Sequence, residues 1–220
     1  MKPQTQRITT VVLGVGLVFA LLILIAAAGN VYLPGDHRGF EPTQPIAFSH
    51  QLHAGDLGIG CHYCHSAAED GRHAGIPAAD TCMNCHQTVT ANWASVRAED
   101  KAAEKEGRKP GRIVSPELQK LYDYLALDAE LKPDPSKHPS SIPWVRIHDL
   151  PDFVYFDHRA HVQAGVECQK CHGPVETMER VRQVESLSMG WCVNCHRDAN
   201  QNGVNGRQVN ASLDCATCHW

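Results

Sequence analysis

Five copies of the pattern Cys-x-x-Cys-His occur in this 220-residue chain, and together they contain all ten of its cysteines. In a c-type cytochrome the two thiols of this pattern form thioethers with the haem vinyl groups, and the histidine binds the iron as its proximal ligand. The pattern therefore predicts five covalently bound haem c groups. The predicted attachment residues are Cys61, Cys64, Cys82, Cys85, Cys168, Cys171, Cys192, Cys195, Cys215 and Cys218, and the predicted proximal ligands are His65, His86, His172, His196 and His219.

Zinc binding and redox-active disulfides are the other common uses of paired Cys-x-x-Cys motifs. Neither use requires a histidine directly after every second cysteine, whereas all five copies have one. The recurrent histidine favours haem. Mixed charges and a formal net charge of −4 give no indication of nucleic-acid binding.

The segment Ile8–Ala28 carries no charge and is long enough to cross a bilayer as a helix. Lys2 and Arg7 precede it, so the positive-inside rule predicts a cytoplasmic N-terminus and a periplasmic remainder. A cleaved signal peptide is the alternative, since three alanines end the segment. We expect a single N-terminal anchor in the bacterial cytoplasmic membrane, with the haem domain in the periplasm.

An internal repeat organises the exported part. Phe48-x-His50-x-x-His53 precedes one pair of haem motifs, and Phe156-x-His158-x-x-His161 precedes the next pair. The predicted fold is a multihaem cytochrome c, mainly helical or irregular and packed around haem, with two dihaem modules and a fifth haem. The predicted domains are a transmembrane anchor (1–33), haem module 1 (34–95), a linker (96–143) and haem module 2 with the fifth haem (144–220).

The linker contains two predicted features. Residues 96–112 are rich in charge and are interpreted as a solvated insertion. Ser115 and Pro116 then form a helix start, with Ser115 as N-cap, and the apolar residues that follow mark one face of that helix. Residues 128–143 are rich in proline and predict a loop.

Each His-x-x-His pair places two imidazoles on one face of a helical turn, from which they can bind two different irons. His50, His53, His158 and His161 are therefore the first candidates for distal ligands. His148 is the next candidate, and Met189 or, with less support, Met178 could complete the set. The remaining histidines outside the motifs are weaker candidates: His37, His62, His73 and His138.

A chain with enough ligands to fill both axial positions of every iron is suited to electron relay, because a catalytic haem needs an open position. We assign no catalytic residue to this chain. A small multihaem reductase with one open haem remains an alternative from the enzyme class.

Several longer motifs resemble the pentahaem cytochrome subunit of bacterial alternative complex III, with class III-like paired histidines. They are the Phe-x-His-x-x-His pairs, Ala74-Gly75-Ile76-Pro77 before the second haem motif, the segment Trp144–Phe156, and Ser188-Met-Gly-Trp191 before the fourth haem motif. The resemblance covers nearly the whole chain and departs from the family in the linker, at 96–112 and 128–140.

This resemblance implies an electron-relaying subunit of a membrane quinol oxidoreductase, passing electrons toward a periplasmic cytochrome or a terminal oxidase. The implied partners are an iron–sulfur protein, polytopic quinol-binding subunits and a monohaem cytochrome. A stand-alone quinol dehydrogenase of the tetrahaem type is an alternative, although it usually has four haems.

Overall fold

The computed structural model describes residues 3–28 and 36–220, with side chains described for 11–25 and 36–220. Contacts divide the chain into two units, Met1–Asp36 and His37–Trp220. Lys2, Pro34 and Gly35 lie outside the described residues, as does the side chain of Arg7.

Helix α1 of the first unit contains the uncharged segment and spans Pro3–Ala28. Its described side chains are apolar and exposed; Leu17, for example, is 73% exposed. Among the described residues, we find no helix whose length and hydropathy together suffice for a transmembrane span. The predicted transmembrane anchor is therefore not supported by the described structure.

The second unit consists of short helices and long irregular segments. Within the described residues, β-structure is confined to isolated bridges, in agreement with the predicted mainly helical and irregular architecture. Its α-helices are α2 (Cys61–Cys64), α3 (Ala79–His86), α4 (Trp93–Glu106), α5 (Pro116–Tyr124), α6 (His158–Gln163), α7 (Gln169–His172), α8 (Met189–Asn202) and α9 (Cys215–Cys218). A π-helical turn spans Gln51–Asp56, and 3-10 turns span Ser66–Ala68 and Val175–Thr177.

The small hydrophobic cluster of the second unit is built around α5. Ser115 caps this helix as predicted, accepting a hydrogen bond from the Leu118 amide at 3.3 Å. Leu121 and Tyr122 are buried and pack with Ile46. The Tyr122 hydroxyl donates to the His86 carbonyl at 2.6 Å, so the linker helix is anchored to the second haem motif.

The charged run at 96–112, predicted as a solvated insertion, forms helix α4 over most of its length. Asn92 caps that helix by accepting from the Ser95 amide at 2.9 Å, and Gly107 ends it with a left-handed φ of 65°. Glu99 in the helix and Arg108 just after its end form an ion pair. Ala103 on α4 is fully buried, so one helix face packs while the charges remain in solvent.

The two haem modules contact each other through the segments that contain their paired histidines. The turn Gln51–Asp56 packs against Val175–Thr177, which follows the third haem motif, and α6 packs against Ser66–Ala68, which follows the first. A Cβ added at Gly55 would lie 2.3 Å from the Glu176 carbonyl oxygen. This position requires glycine because two backbones approach closely there.

Replacing Leu121 with alanine should lower the free energy of unfolding by about 2–5 kcal/mol, because a buried leucine leaves a cavity that the surroundings fill only in part. Urea unfolding of the haem-loaded protein measures the loss. Gln119→Ala, on the exposed side of the same helix, is the matched control and should change stability by less than about 0.5 kcal/mol. Equal effects of the two substitutions would contradict the assignment of Leu121 to the core.

Candidate haem-binding site

Each Cys-x-x-Cys-His motif adopts a helical turn that brings its three functional side chains to one side. The amide of the motif histidine donates to the carbonyl of the first cysteine in motif one (His65 to Cys61, 2.9 Å), motif three (His172 to Cys168, 3.0 Å) and motif five (His219 to Cys215, 2.9 Å). Positions i, i+3 and i+4 share one face of such a turn. Two thiols and an imidazole therefore face the same region in each motif.

The motif histidines present the nitrogen that haem iron requires. Nδ1–H donates to a backbone carbonyl at His65 (to Gly75, 2.7 Å), His86 (to Val89, 2.8 Å), His196 (to Ser212, 2.6 Å) and His219 (to Phe153, 3.4 Å). A proton held on Nδ1 leaves Nε2 as a neutral lone pair, the form in which histidine binds metals.

None of the ten cysteines, all of which lie in the described part of the chain, forms a disulfide, and burial raises the pKa of several of them. Burial, followed by the charges of Cys195 and Cys192, raises the pKa of Cys171 to about 11. Burial likewise raises the pKa of Cys64, Cys82 and Cys192.

The two His-x-x-His pairs have the same local geometry. The second histidine of each pair donates Nδ1–H to the residue four positions before it, His53 to the Ser49 carbonyl and His161 to the Asp157 carbonyl, both at 2.8 Å. Asp157 also caps α6 by accepting from the Arg159 amide at 2.9 Å. These carbonyls are backbone groups, so the sequence pattern could not reveal them.

A phenylalanine orients both rings of each pair. Phe48 lies edge-on to His50 at 4.9 Å and stacks on His53 at 4.3 Å. Phe156 lies edge-on to His158 at 4.9 Å and stacks on His161 at 4.6 Å. The repeat therefore reproduces ring orientation as well as residue type, and the phenylalanine of the motif is part of the site.

Three of the paired histidines face motif histidines at the distance that a shared iron needs. An imidazole nitrogen binds a first-row metal ion at about 2 Å and the ring centre lies about 1 Å behind it, so two imidazoles on opposite sides of one iron have centres about 6 Å apart. The ring centres are 6.1 Å apart for His53 and His86, 6.3 Å for His158 and His172, and 6.0 Å for His161 and His196. The residues present thus fit haem iron with two histidine ligands at motifs two, three and four.

The electrostatics of His50 and its place in the repeat associate it with the first motif. Burial, followed by the charges of His65 and His53, lowers its pKa to about 4. Its Nδ1 is buried without a hydrogen-bond partner. Burial lowers the pKa of His172 to about 3, with further contributions from the charges of three neighbouring histidines, of which that of His148 is the largest. Both imidazoles are therefore held neutral, as iron ligands must be.

The remaining ligand candidates have different surroundings. The ring of His148 contacts that of His172 at 4.3 Å, which is too short for opposite sides of one iron, although its Nε2 is buried without a partner. Met189 is 66% exposed and Met178 is 5% exposed. The weaker candidates His37, His62, His73 and His138 all lie at exposed positions.

Neighbouring motifs touch one another in a defined order. Asn84 in motif two donates to the Tyr63 hydroxyl in motif one at 3.0 Å. Burial raises the pKa of the Cys168 thiol, and the charge of Cys61 and a side-chain hydrogen bond between the two cysteines raise it further. Motif one therefore lies beside motif three. The neighbours of Cys171 are the cysteines of motif four.

Motif five adjoins motif four. After burial, the charge of Cys218 is the next cause that raises the pKa of Cys192. The side chain of Asn200, on the helix that contains motif four, makes two hydrogen bonds with the backbone of Ala211, at 2.8 and 2.6 Å. These contacts join motif two to motif one, motif one to motif three, motif three to motif four, and motif four to motif five.

Residues 154–220 match the family model of cytochrome c7 and related cytochrome c. Over 199 residues the chain is 27% identical to the menaquinone reductase, multiheme cytochrome c subunit, of Nitratidesulfovibrio vulgaris (strain Hildenborough), a match covering 81% of this chain and 78% of the relative. The C-terminal part of the chain is a cytochrome c7-like multihaem domain, and the chain is homologous to that subunit. Both matches imply covalently bound haem c and a role in electron transfer.

If His53 is a distal ligand, its replacement with alanine should leave every haem attached and open one iron, because the thioethers predicted for Cys82 and Cys85 would remain while the predicted partner of His86 would be lost. Intact mass measures attachment, and absorption and electron paramagnetic resonance spectra measure the appearance of one high-spin haem. His62→Ala is the matched control: His62 is exposed, with its Nδ1 3.0 Å from Glu69, and its loss should leave the spectra unchanged. A wild-type spectrum for the His53 variant would exclude this histidine as a ligand.

Proposed function

We propose that this chain is a membrane-attached pentahaem cytochrome c that relays electrons within a quinol-oxidising respiratory complex. The observation that carries the proposal is the set of three histidine pairs with ring centres 6.0–6.3 Å apart, each joining a motif histidine to a His-x-x-His histidine. When bound, haem iron with two axial ligands carries single electrons and offers no open position to a substrate.

The residues proposed to hold the haems follow the repeat. His50 would serve the first motif and His53 the second, while His158 would serve the third and His161 the fourth. The fifth distal ligand is proposed among His148, Met189 and Met178. The ten motif cysteines would hold the porphyrins covalently. Where a backbone carbonyl accepts Nδ1–H, it would keep the Nε2 of that histidine aimed at iron.

The proposed domain organisation places the haem motifs in modules 34–95 and 144–220, separated by the linker 96–143. Contacts between motifs support a connected series, in which motif two adjoins motif one, motif one adjoins motif three, motif three adjoins motif four, and motif four adjoins motif five. A relay needs such a series because each group must lie close to the next.

The kind of complex is supported by the relative's name and by the motif resemblance. The name of the N. vulgaris relative describes a menaquinone reductase subunit, which supports quinol-linked respiration. The resemblance to the alternative complex III subunit favours that complex, with an iron–sulfur protein, polytopic quinol-binding subunits and a monohaem cytochrome as partners. Electrons would then pass to a periplasmic cytochrome or a terminal oxidase.

Isolation from native membranes tests this proposal directly. The relay hypothesis predicts that the chain is purified with quinol-binding and iron–sulfur subunits and that added quinol reduces its haems only in that assembly. Quinol oxidation by the isolated chain would instead favour the stand-alone dehydrogenase. Rapid carbon monoxide binding by the unmodified protein would show an open haem and favour the reductase.

Simultaneous replacement of Cys215 and Cys218 with alanine should reduce the haem count from five to four, because each motif is proposed to bind its own porphyrin. Intact mass should exceed that of the polypeptide by four haems instead of five. Thr217→Ala changes a variable position of the same motif and should retain all five. A wild-type mass exceeding the polypeptide by fewer than five haems would overturn the stoichiometry.

Membrane attachment is proposed through Ile8–Ala28, supported by its lack of charge and by the positive residues before it. Protease added to intact spheroplasts should digest the haem domain, while the protein in untreated membranes should resist extraction by alkaline carbonate. A variant in which a cleavable signal peptide replaces the residues before His37 is the control and should be released into the soluble periplasmic fraction. Release of the full-length haem domain would show that the segment is cleaved or does not anchor.

A further inference from the structure

Arg72 lies in the loop after the first haem motif and contacts the other module through its backbone. Its carbonyl oxygen accepts two hydrogen bonds from His158, one from the amide at 3.1 Å and one from the ring Nδ1 at 2.9 Å. The carbonyl of the preceding residue, Gly71, accepts from the Arg159 amide at 3.2 Å. The loop thus provides the first turn of α6 with its partners and fixes which nitrogen of His158 carries the proton.

The side chain of Arg72 holds this loop in place. Its Nε donates to the Phe156 carbonyl at 3.1 Å. Its guanidinium carbon lies 4.4 Å from the ring centre of Tyr155 and 5.5 Å from that of Trp220. The side chain therefore joins the loop to the residues just before His158 and to the residue directly after His219.

The dependence of His158 on a distant loop breaks the symmetry of the repeat. His53 and His161 receive their Nδ1 partner from the residue four positions earlier in their own segment. At the position equivalent to His158, the Nδ1 of His50 is buried without a partner. Of these two histidines, only His158 has a loop carbonyl as the partner of its Nδ1. That carbonyl belongs to Arg72, whose side chain is itself held in place.

We propose that Arg72 is a positioning residue that orients the imidazole of His158 toward iron and couples this ligand to the fifth haem motif. The inference rests on the proposed function, in which His158 binds the iron of the third motif. The role suits arginine because a planar guanidinium can donate in its plane while its faces lie on aromatic rings. Lysine retains the charge but cannot reproduce that geometry.

The test compares Arg72→Ala and Arg72→Lys with the wild-type protein carrying its haems. Redox titration followed by electron paramagnetic resonance resolves the low-spin signals and midpoint potentials of individual haems. His158→Ala identifies which signal belongs to the third motif. Arg112→Ala is the matched control, because Arg112 is an exposed arginine whose Nη1 also donates to a carbonyl, that of Ala129 at 2.8 Å.

We expect Arg72→Ala to retain all haems by mass while it shifts the potential and changes the signal of the haem identified by His158→Ala. A smaller change in the same direction should appear in Arg72→Lys, and none in Arg112→Ala. If Arg72→Ala does not fold, the test rests on Arg72→Lys: a changed signal of the haem identified by His158→Ala supports the positioning role, and a wild-type signal contradicts it.

Two results would overturn the positioning role: wild-type signals in both Arg72 variants, or an equal shift of all haem potentials, which would indicate a general charge effect. Failure of His158→Ala to open any iron would refute the ligand assignment of the proposed function, and this inference with it. A normal His158→Ala result together with silent Arg72 variants would refute this inference alone.

Discussion

An imidazole can bind haem iron only through a nitrogen that has lost its proton, and the second unit is arranged around this requirement. Carbonyl groups of Ser49, Gly75, Val89, Asp157 and Ser212 each accept Nδ1–H from a histidine at 2.6–2.8 Å. Those carbonyls belong to irregular segments and helix ends, where backbone acceptors are free of regular secondary structure. The loop-rich architecture suits the proposed ligation, because a protein made of long helices would have few carbonyls available for side chains.

The repeat explains how a small polypeptide core can organise the motifs. The described hydrophobic cluster centres on Ile46, Leu121 and Tyr122, while the other motif-bearing segments are connected mainly by hydrogen bonds and aromatic contacts. Phe48 and Phe156 each contact two imidazoles, one edge-on and one stacked, and this arrangement is nearly the same in the two modules. Two copies of one short segment thereby present four ligand candidates, and the linker helix α5 stabilises the first copy from the side.

Much of this site was predictable from residue type and spacing. Helical turns with Cys-x-x-Cys-His, the paired histidines and the Ser115 cap follow local rules that depend on neighbouring residues alone. The helical state of 93–106 was missed because its charges suggested solvent, whereas the burial of Ala103 depends on tertiary packing. The role of Arg72 could not be predicted, since its partners Phe156, His158 and Trp220 are distant in sequence and two of the contacts involve backbone carbonyls.

The close approach of Gly55 to the Glu176 carbonyl has a consequence for the evolution of the chain. Duplicated segments often remain exchangeable cassettes, but here a turn of the first module fits against the backbone of the second with no room for a methyl group. An exchange of one module between relatives would join a first-module turn to a second-module backbone with which it had not evolved. The halves are therefore expected to be inherited as one block, with recombination breakpoints excluded from the stretch between them.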